Sequence, residues 1–144
     1  MKTPLSLLFF CFFGLTANPD YILKQDTIGE FRMLYLIEPS SEKTIGACSF
    51  NTNESCVDLH LLKIFDSEKR GKGLGSRLLK TVLSHAHAQN KPLQVVASPF
   101  QEDVNAYGKE GALQKIVAFY KKHGGKVNSE SHICATIIFP PIII

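Results

Sequence analysis

The stretch Glu68-Lys69-Arg70-Gly71-Lys72-Gly73-Leu74-Gly75-Ser76-Arg77 decides the reading of this chain, because it stands between a β-rich segment ending at Phe65 and a segment of helical period. Three glycines at alternate positions let the backbone adopt positive φ and come close to a ligand. The first amides of the helix that follows point outward, unpaired, at the positive end of its macrodipole. Such a bend binds phosphate. Lys69, Arg70, Lys72 and Arg77 add side-chain cations, so the guest expected here is a polyphosphate.

Spacing narrows the choice of polyphosphate. No stretch satisfies the GxxxxGK[ST] pattern of a P-loop. A dinucleotide fingerprint needs GxGxxG beside the first strand of a βαβ unit, yet Gly73-x-Gly75 is followed at the third position by Leu78, and the bend comes after several strands.

Working outward, Phe31 to Ile37 and Thr44 to Phe50 are rich in β-formers around the polar turn Glu38-Pro39-Ser40-Ser41-Glu42-Lys43. After the turn Asn51-Thr52-Asn53-Glu54-Ser55, Cys56 to Phe65 alternates and then becomes apolar. Three antiparallel strands in series are predicted. Leu74, Leu78 and Val82, with Leu79, Leu83 and Ala86 on the same face, predict a helix from Leu74 to Gln89. Leu93 to Ala97 reads as a strand and Ser98 to Gly108 as a loop. A second helix, from Glu110 to His123, has the apolar face Leu113, Ile116, Val117 and Tyr120, and Gly124-Gly125 ends it. Lys126 to Ile144 supplies one or two closing strands. The order β-β-β-α-β-α-β(-β) is α+β on a mixed sheet, with residues 21–144 as a single domain.

The composition agrees with this. A chain of 144 residues, 44% hydrophobic and 20% charged, is a single globular domain and not a disordered one. A net charge of +3 is too mild to call for nucleic acid. Residues 63–91, however, hold seven Lys and Arg against two Asp and Glu, which directs an anionic partner to the glycine-rich bend. Cys11, Cys48, Cys56 and Cys134 include no CxxC pair, so no metal site is expected, and Cys48 and Cys56 read as reduced strand residues. His85-x-His87 points its rings about 200° apart on a helix and is not a metal pair. His123, His132 and Lys121-Lys122 read as a solvated helix end, and Ser76 and Ser98 lack the partners of a nucleophilic serine.

Residues 1–20 admit two readings. Lys2 followed by the apolar run Pro4 to Ala17 has the outline of a signal peptide and is too short for a stable membrane span; it also suits a buried opening strand or helix.

Arg70-Gly71-Lys72-Gly73-Leu74-Gly75 resembles the [Q/R]-x-x-G-x-[G/A] pyrophosphate motif of the GNAT superfamily of N-acetyltransferases. In that family the motif follows the fourth strand and opens the third helix, and a later helix carries a Phe-Tyr pair just before a glycine turn. Phe119-Tyr120-Lys121-Lys122-His123-Gly124-Gly125 stands in that place, and the resemblance covers Phe31 to Phe139.

The resemblance implies a GNAT-like acyl-CoA N-acyltransferase fold and acetyl-CoA as cosubstrate, with an acetyl group passing directly to a primary amine in a ternary complex. By the same resemblance, Arg70, Gly71, Lys72, Gly73, Leu74, Gly75 and Ser76 would hold the pyrophosphate, Lys63, Ile64 and Phe65 would pair with the pantetheine arm, and Tyr120 would be the general acid for the departing thiolate. No nucleic-acid partner is implied. Two departures stand out. Leu113 occupies the place, seven residues before Tyr120, where many members have Asn, and Asn105 lies too far back to replace it. Residues 1–30 are too short and too apolar to supply fully the opening strand and two helices that shape the acceptor pocket. The general base is unassigned, with Asp58 and His60 as candidates on the third predicted strand. Rival readings are an acyl-CoA-binding module without transfer and a basic interaction domain. Acetyl-CoA use implies a cytoplasmic location, against the signal-like start.

Overall fold

The computed structural model describes residues 21–141, so both readings of residues 1–20 lie outside the described residues. Four antiparallel strands open the fold where three are expected: β1 (Ile22–Ile28), β2 (Phe31–Glu38), β3 (Lys43–Thr52) and β4 (Val57–Ile64). β1 escapes the hydrophobic pattern because it is an edge strand in which only Leu23 packs against the core. Of the opening strand and two helices that residues 1–30 were expected not to supply fully, a strand is present among the described residues. It runs through a tight turn at Gly29, whose φ of 62° suits glycine, directly into β2.

Beyond β4 a 3-10 turn and the glycine-rich bend lead into α1 (Leu74–Ala88), then β5 (Leu93–Ala97), α2 (Gln101–Lys122), β6 (Lys126–Glu130) and β7 (Ala135–Phe139). One seven-stranded mixed sheet results, in the order β1-β2-β3-β4-β5-β7-β6, with β4 and β5 parallel. The segment read as a loop, Ser98 to Gly108, is helical from Gln101 onward. Pro99 and Gly108 mark the ends of this short first segment: Pro99 precedes it, and Gly108, at φ 79° and ψ 165°, kinks α2 at its far end. With few apolar side chains it shows no amphipathic period, but Glu102 and Asp103 in its first turn suit the positive end of a helix.

The register shows which way each strand faces. Phe50 pairs with Leu59, Leu59 with Val95, and Val95 with Ile137, so these buried residues share one face. Both helices pack there. From α1, Leu74, Leu78, Leu79, Val82 and Ala86 join the core, and from α2, Leu113, Val117 and Tyr120 join it too. Contacts of the His85 ring with Phe50 and of the Tyr120 ring with Phe139 place both helices on this face. The opposite face carries Ile22, Ile28, Phe31 and Val96, all exposed, and among the described residues no helix covers it.

Gly125 is required by packing and not by its turn. A Cβ there would lie 2.6 Å from Ile137 Cγ2 and 2.9 Å from Phe139 Cζ, so the chain can leave α2 against the sheet only without a side chain.

Candidate active site

β4 and β5 pair over only three residues, Val57 with Leu93, Asp58 with Gln94 and Leu59 with Val95, and then separate. The cause lies on the other side of β4. Between Phe50↔Leu59 and Ser49↔Leu61 the register slips by one residue, leaving His60 as a bulge that bends the strand where the parallel pairing ends. A slot of about 100 Å³ results, bordered by His60, Leu61, Val96, Ser98 and the buried Tyr120. Leu62, Phe100 and Ile116 wall this slot and also a larger groove of about 580 Å³ on the helix side.

The glycine-rich bend forms one end of the groove. Gly71 and Gly73 take φ of 77° and 83°, and Gly73 caps α1 without a side-chain bond. Among the described residues no hydrogen bond engages the amides from Gly71 to Ser76; the first internal bond is Arg77 N–H to the Gly73 carbonyl, 3.0 Å. The bend therefore presents a run of free donors at a helix N-terminus, the arrangement that accommodates phosphate oxygens. A Cβ on Gly75 would touch Phe119 and Leu62 at ordinary distances of 3.6 and 3.7 Å, so anything larger than a methyl would enter the groove.

The cations are placed differently from expectation. Lys69 donates to Glu38 at 2.9 Å, and Arg77 to the Tyr21 carbonyl at 3.1 Å. Arg70 spans three acceptors: the Ile64 carbonyl at 3.1 Å, Asp103 at 3.0 Å and Glu102 at 3.1 Å. Lys63 also reaches Glu102, at 2.6 Å, and lies 4.5 Å from the centre of the Phe100 ring. The Lys63 bond, followed by Arg70, holds the Glu102 carboxyl below its ordinary range. Of the four cations expected at the phosphate, only Lys72 makes no ion pair or side-chain hydrogen bond among the described residues. Arg70 instead ties the end of β4 to the first turn of α2. The groove gains other cations, Lys115 and Lys122, from α2. The sequence reading missed them because helix faces meet the bend only in three dimensions.

Of the residues expected to bind the cosubstrate, Lys63, Ile64, Arg70, Gly71, Gly73, Gly75 and Ser76 line the groove. Leu74 turns its side chain into the core, Phe65 is exposed, and Lys72 points to solvent. The Phe65 amide donates to the Ile45 carbonyl at 2.8 Å. Strand alternation then leaves Leu62 and Ile64 with peptide groups facing the gap.

Tyr120 is 4% exposed, in edge contact with Phe119 and Phe139. Burial, and after it the neighbouring Cys48, pushes its hydroxyl well above the ordinary tyrosine value, which favours the neutral phenol. Burial also pushes the Cys48 thiol up to about 12. Cys48 and Cys56 are free thiols.

His123, read from the sequence as a solvated helix end, instead supports two groove residues. Its Nε2 lies 2.8 Å from the Ser76 hydroxyl and its ring packs on Phe119, which ties the start of α1 to the end of α2 beside the groove. Burial first, then Lys122 and Lys80, lowers its proton affinity. His85 is a packing residue bonded to Thr52 at 3.1 Å and Gln89 at 2.9 Å. Asp58 accepts from Asn53 at 2.9 Å and Gln94 at 3.3 Å, and His60 bonds to Asn51. Among the described residues no cluster of three or more His, Cys, Asp or Glu could hold a metal, and no helix is long and apolar enough to cross a membrane.

Residues 19–133 match the profile of the acetyltransferase (GNAT) domain. No curated protein sequence matches the chain. Similar solved structures include a GNAT family acetyltransferase from Elizabethkingia anophelis with acetyl-CoA bound, with a TM-score of 0.61 at 12% identity, covering 84% of this chain and 96% of that one. An IAA acetyltransferase from Bacillus cereus has a TM-score of 0.61 at 12% identity, covering 83% of this chain and 99% of that one. PaiA N-acetyltransferase from Thermoplasma acidophilum, in complex with coenzyme A, has a TM-score of 0.59 at 14% identity, covering 77% of this chain and 61% of that one. At these identities the likeness is one of fold.

Proposed function

Since the chain belongs to the GNAT acetyltransferase family, we propose that it passes an acetyl group from acetyl-CoA to a primary amine by direct attack in a ternary complex. The observation that carries this reading is the run of unengaged amides from Gly71 to Ser76 at one end of a groove that narrows into the gap between β4 and β5. Those amides would receive the pyrophosphate, with Lys72 and Lys122 as accompanying cations. The pantetheine arm would lie against Leu62 and Ile64, adding a partial strand where β5 has moved away. This brings the thioester to the slot beside Tyr120.

An incoming amine attacks the carbonyl carbon, the C–N bond forms, the C–S bond breaks, and CoA departs as a thiolate that takes a proton from Tyr120. Tyr120 regains one from the amide nitrogen through solvent. A thiolate is already a good leaving group, so Tyr120 supplies about 10²-fold, the low end of the range for proton transfer. Most of the acceleration comes from holding amine and thioester in contact.

Calorimetric titration with CoA tests the reading. Binding that disappears in Gly75→Glu, while the melting temperature stays near that of the unmodified chain, is the expected result; equal binding by Gly75→Glu would refute it. Binding without transfer to any amine would favour an acyl-CoA-binding module.

A further inference from the structure

We infer that His123 is a positioning residue for the cosubstrate: by reversing its hydrogen bond with Ser76 it turns the Ser76 hydroxyl toward a phosphate of CoA, and CoA binding takes up a proton at His123. The inference rests on the reading of the groove above and adds a proton linkage to that site.

The geometry that carries it lies at the junction of the two helices. Ser76, in the first turn of α1, borders the groove and also a shallow depression along α1; Gly73 is the other residue common to both. Its hydroxyl is 2.8 Å from His123 Nε2. Lys80 lines the depression and Lys122 lines the groove. Neither ammonium is in an ion pair among the described residues, and no carboxylate pairs with His123. The charged groups that act on the His123 ring are Lys122 from its own helix and Lys80 from α1. An anion seated here would meet two unpaired cations, a hydroxyl and a titratable ring.

The direction of the Ser76–His123 bond decides what the hydroxyl offers. An imidazole is mostly neutral above its ordinary pKa of about 6.5. Burial, then Lys122 and Lys80, moves this one further toward the neutral form. With a lone pair on Nε2, the ring accepts the Ser76 hydrogen, so the hydroxyl has only lone pairs left for the groove. A phosphate oxygen is an acceptor as well, and the two repel. With a hydrogen on Nε2, the ring donates to Ser76 Oγ instead, and the hydroxyl hydrogen is released to a phosphate oxygen. Protonation supplies that hydrogen and adds a positive charge close to the pyrophosphate. The same anion offsets the repulsion from Lys80 and Lys122, so it favours the imidazolium.

The sign of the linkage follows. CoA raises the proton affinity of His123, and protonation of His123 raises the affinity for CoA by the same factor. The free chain has the lower pKa and the complex the higher. CoA therefore binds best below the free-chain value, and its affinity falls as pH rises through the value of the complex. The proton comes from solvent and returns there when CoA leaves.

The test follows the His123 imidazole by NMR through a pH titration of the full chain, alone and saturated with CoA. Calorimetry in buffers of different ionisation heat then gives CoA affinity and proton uptake near pH 6 and pH 8 for the unmodified chain, His123→Gln and Ser76→Ala. The expected result is a His123 proton affinity on the order of 10-fold higher in the complex, with net proton uptake on binding. CoA affinity should fall on the order of 10-fold more between the two pH values in the unmodified chain than in His123→Gln, whose slope reports the titration of CoA itself. Ser76→Ala keeps its amide but should bind CoA more weakly and lose most of the excess slope. A His123 proton affinity that CoA leaves unchanged or lowers, or the same slope in His123→Gln as in the unmodified chain, overturns the inference while the groove reading stands. The full excess slope in Ser76→Ala overturns the role of the hydroxyl. The NMR comparison needs no variant, so the inference can be refuted even if a variant fails to fold. An unmodified chain that binds no CoA at either pH overturns the reading of the groove, and this inference with it.

Discussion

Ser76 in the first turn of α1 and His123 at the end of α2 share a hydrogen bond of 2.8 Å that joins the two helices where the groove opens. Burial and the nearby Lys122 and Lys80 make His123 harder to protonate in the folded chain than in the unfolded one. The unfolded chain therefore binds more protons through this group, and stability rises with pH across the ordinary histidine range. His85 acts in the same direction, again through burial first. Thermal melts between pH 7.5 and 5.5 should show a falling Tm, and the fall should be shallower in His123→Gln. An equal slope would remove His123 as a contributor.

Gly73 and Gly75 should separate by mechanism. Gly73 has φ of 83°, so Gly73→Ala should lose roughly 1–2 kcal/mol of stability to left-handed backbone strain. Gly75 has ordinary helical geometry and room for a methyl group. Gly75→Ala should hold stability or raise it by up to about 1 kcal/mol. Urea unfolding of both variants checks the contrast.

Arg70→Ala should lower the Tm by a few degrees, because the guanidinium holds Ile64, Glu102 and Asp103 together. Arg70→Lys should not restore it, since one ammonium cannot match that fork. As Arg70 and Asp103 are about a third exposed and Glu102 about half, the loss should be about 1 kcal/mol and should shrink at high salt. Full stability in Arg70→Lys would show that charge alone suffices.

Tyr120→Phe keeps the buried ring and removes the hydroxyl. CoA affinity should be nearly unchanged while kcat falls on the order of 10²-fold. Calorimetry and steady-state kinetics on the same preparation decide the matter, and an unchanged kcat would take Tyr120 out of the mechanism.

Gly125→Ala should be among the more damaging small substitutions, at roughly 1–3 kcal/mol, because the added Cβ would overlap Ile137 and Phe139. A denaturation midpoint equal to that of the unmodified chain would mean the sheet yields there at no cost.

Much of this was legible in the chain because the relevant signals are local. Leu74, Leu78 and Val82 repeat every four residues, and they define α1. Gly71 and Gly73 are separated by Lys72 alone, so the bend they make is written in one short stretch, and both take positive φ. What was not legible depends on neighbours distant in the chain. The ties of Arg70 to Glu102 and Asp103 cross more than 30 positions, and that of Ser76 to His123 crosses 47. β1 gave no pattern because solvent bathes most of it, and the first segment of α2 gave none because few of its side chains are apolar. The bulge at His60 appears only once the register of β3 against β4 is known.

Leu62, Phe100 and Ile116 are party walls, belonging at once to the chamber read as holding the donor and to the aperture beside Tyr120 where transfer is proposed. A change of bulk at any of them would disturb both compartments together. Redesign for a different amine should therefore begin at Val96 and Ser98, which border the aperture alone, so that selectivity is adjusted without loosening the donor's seat.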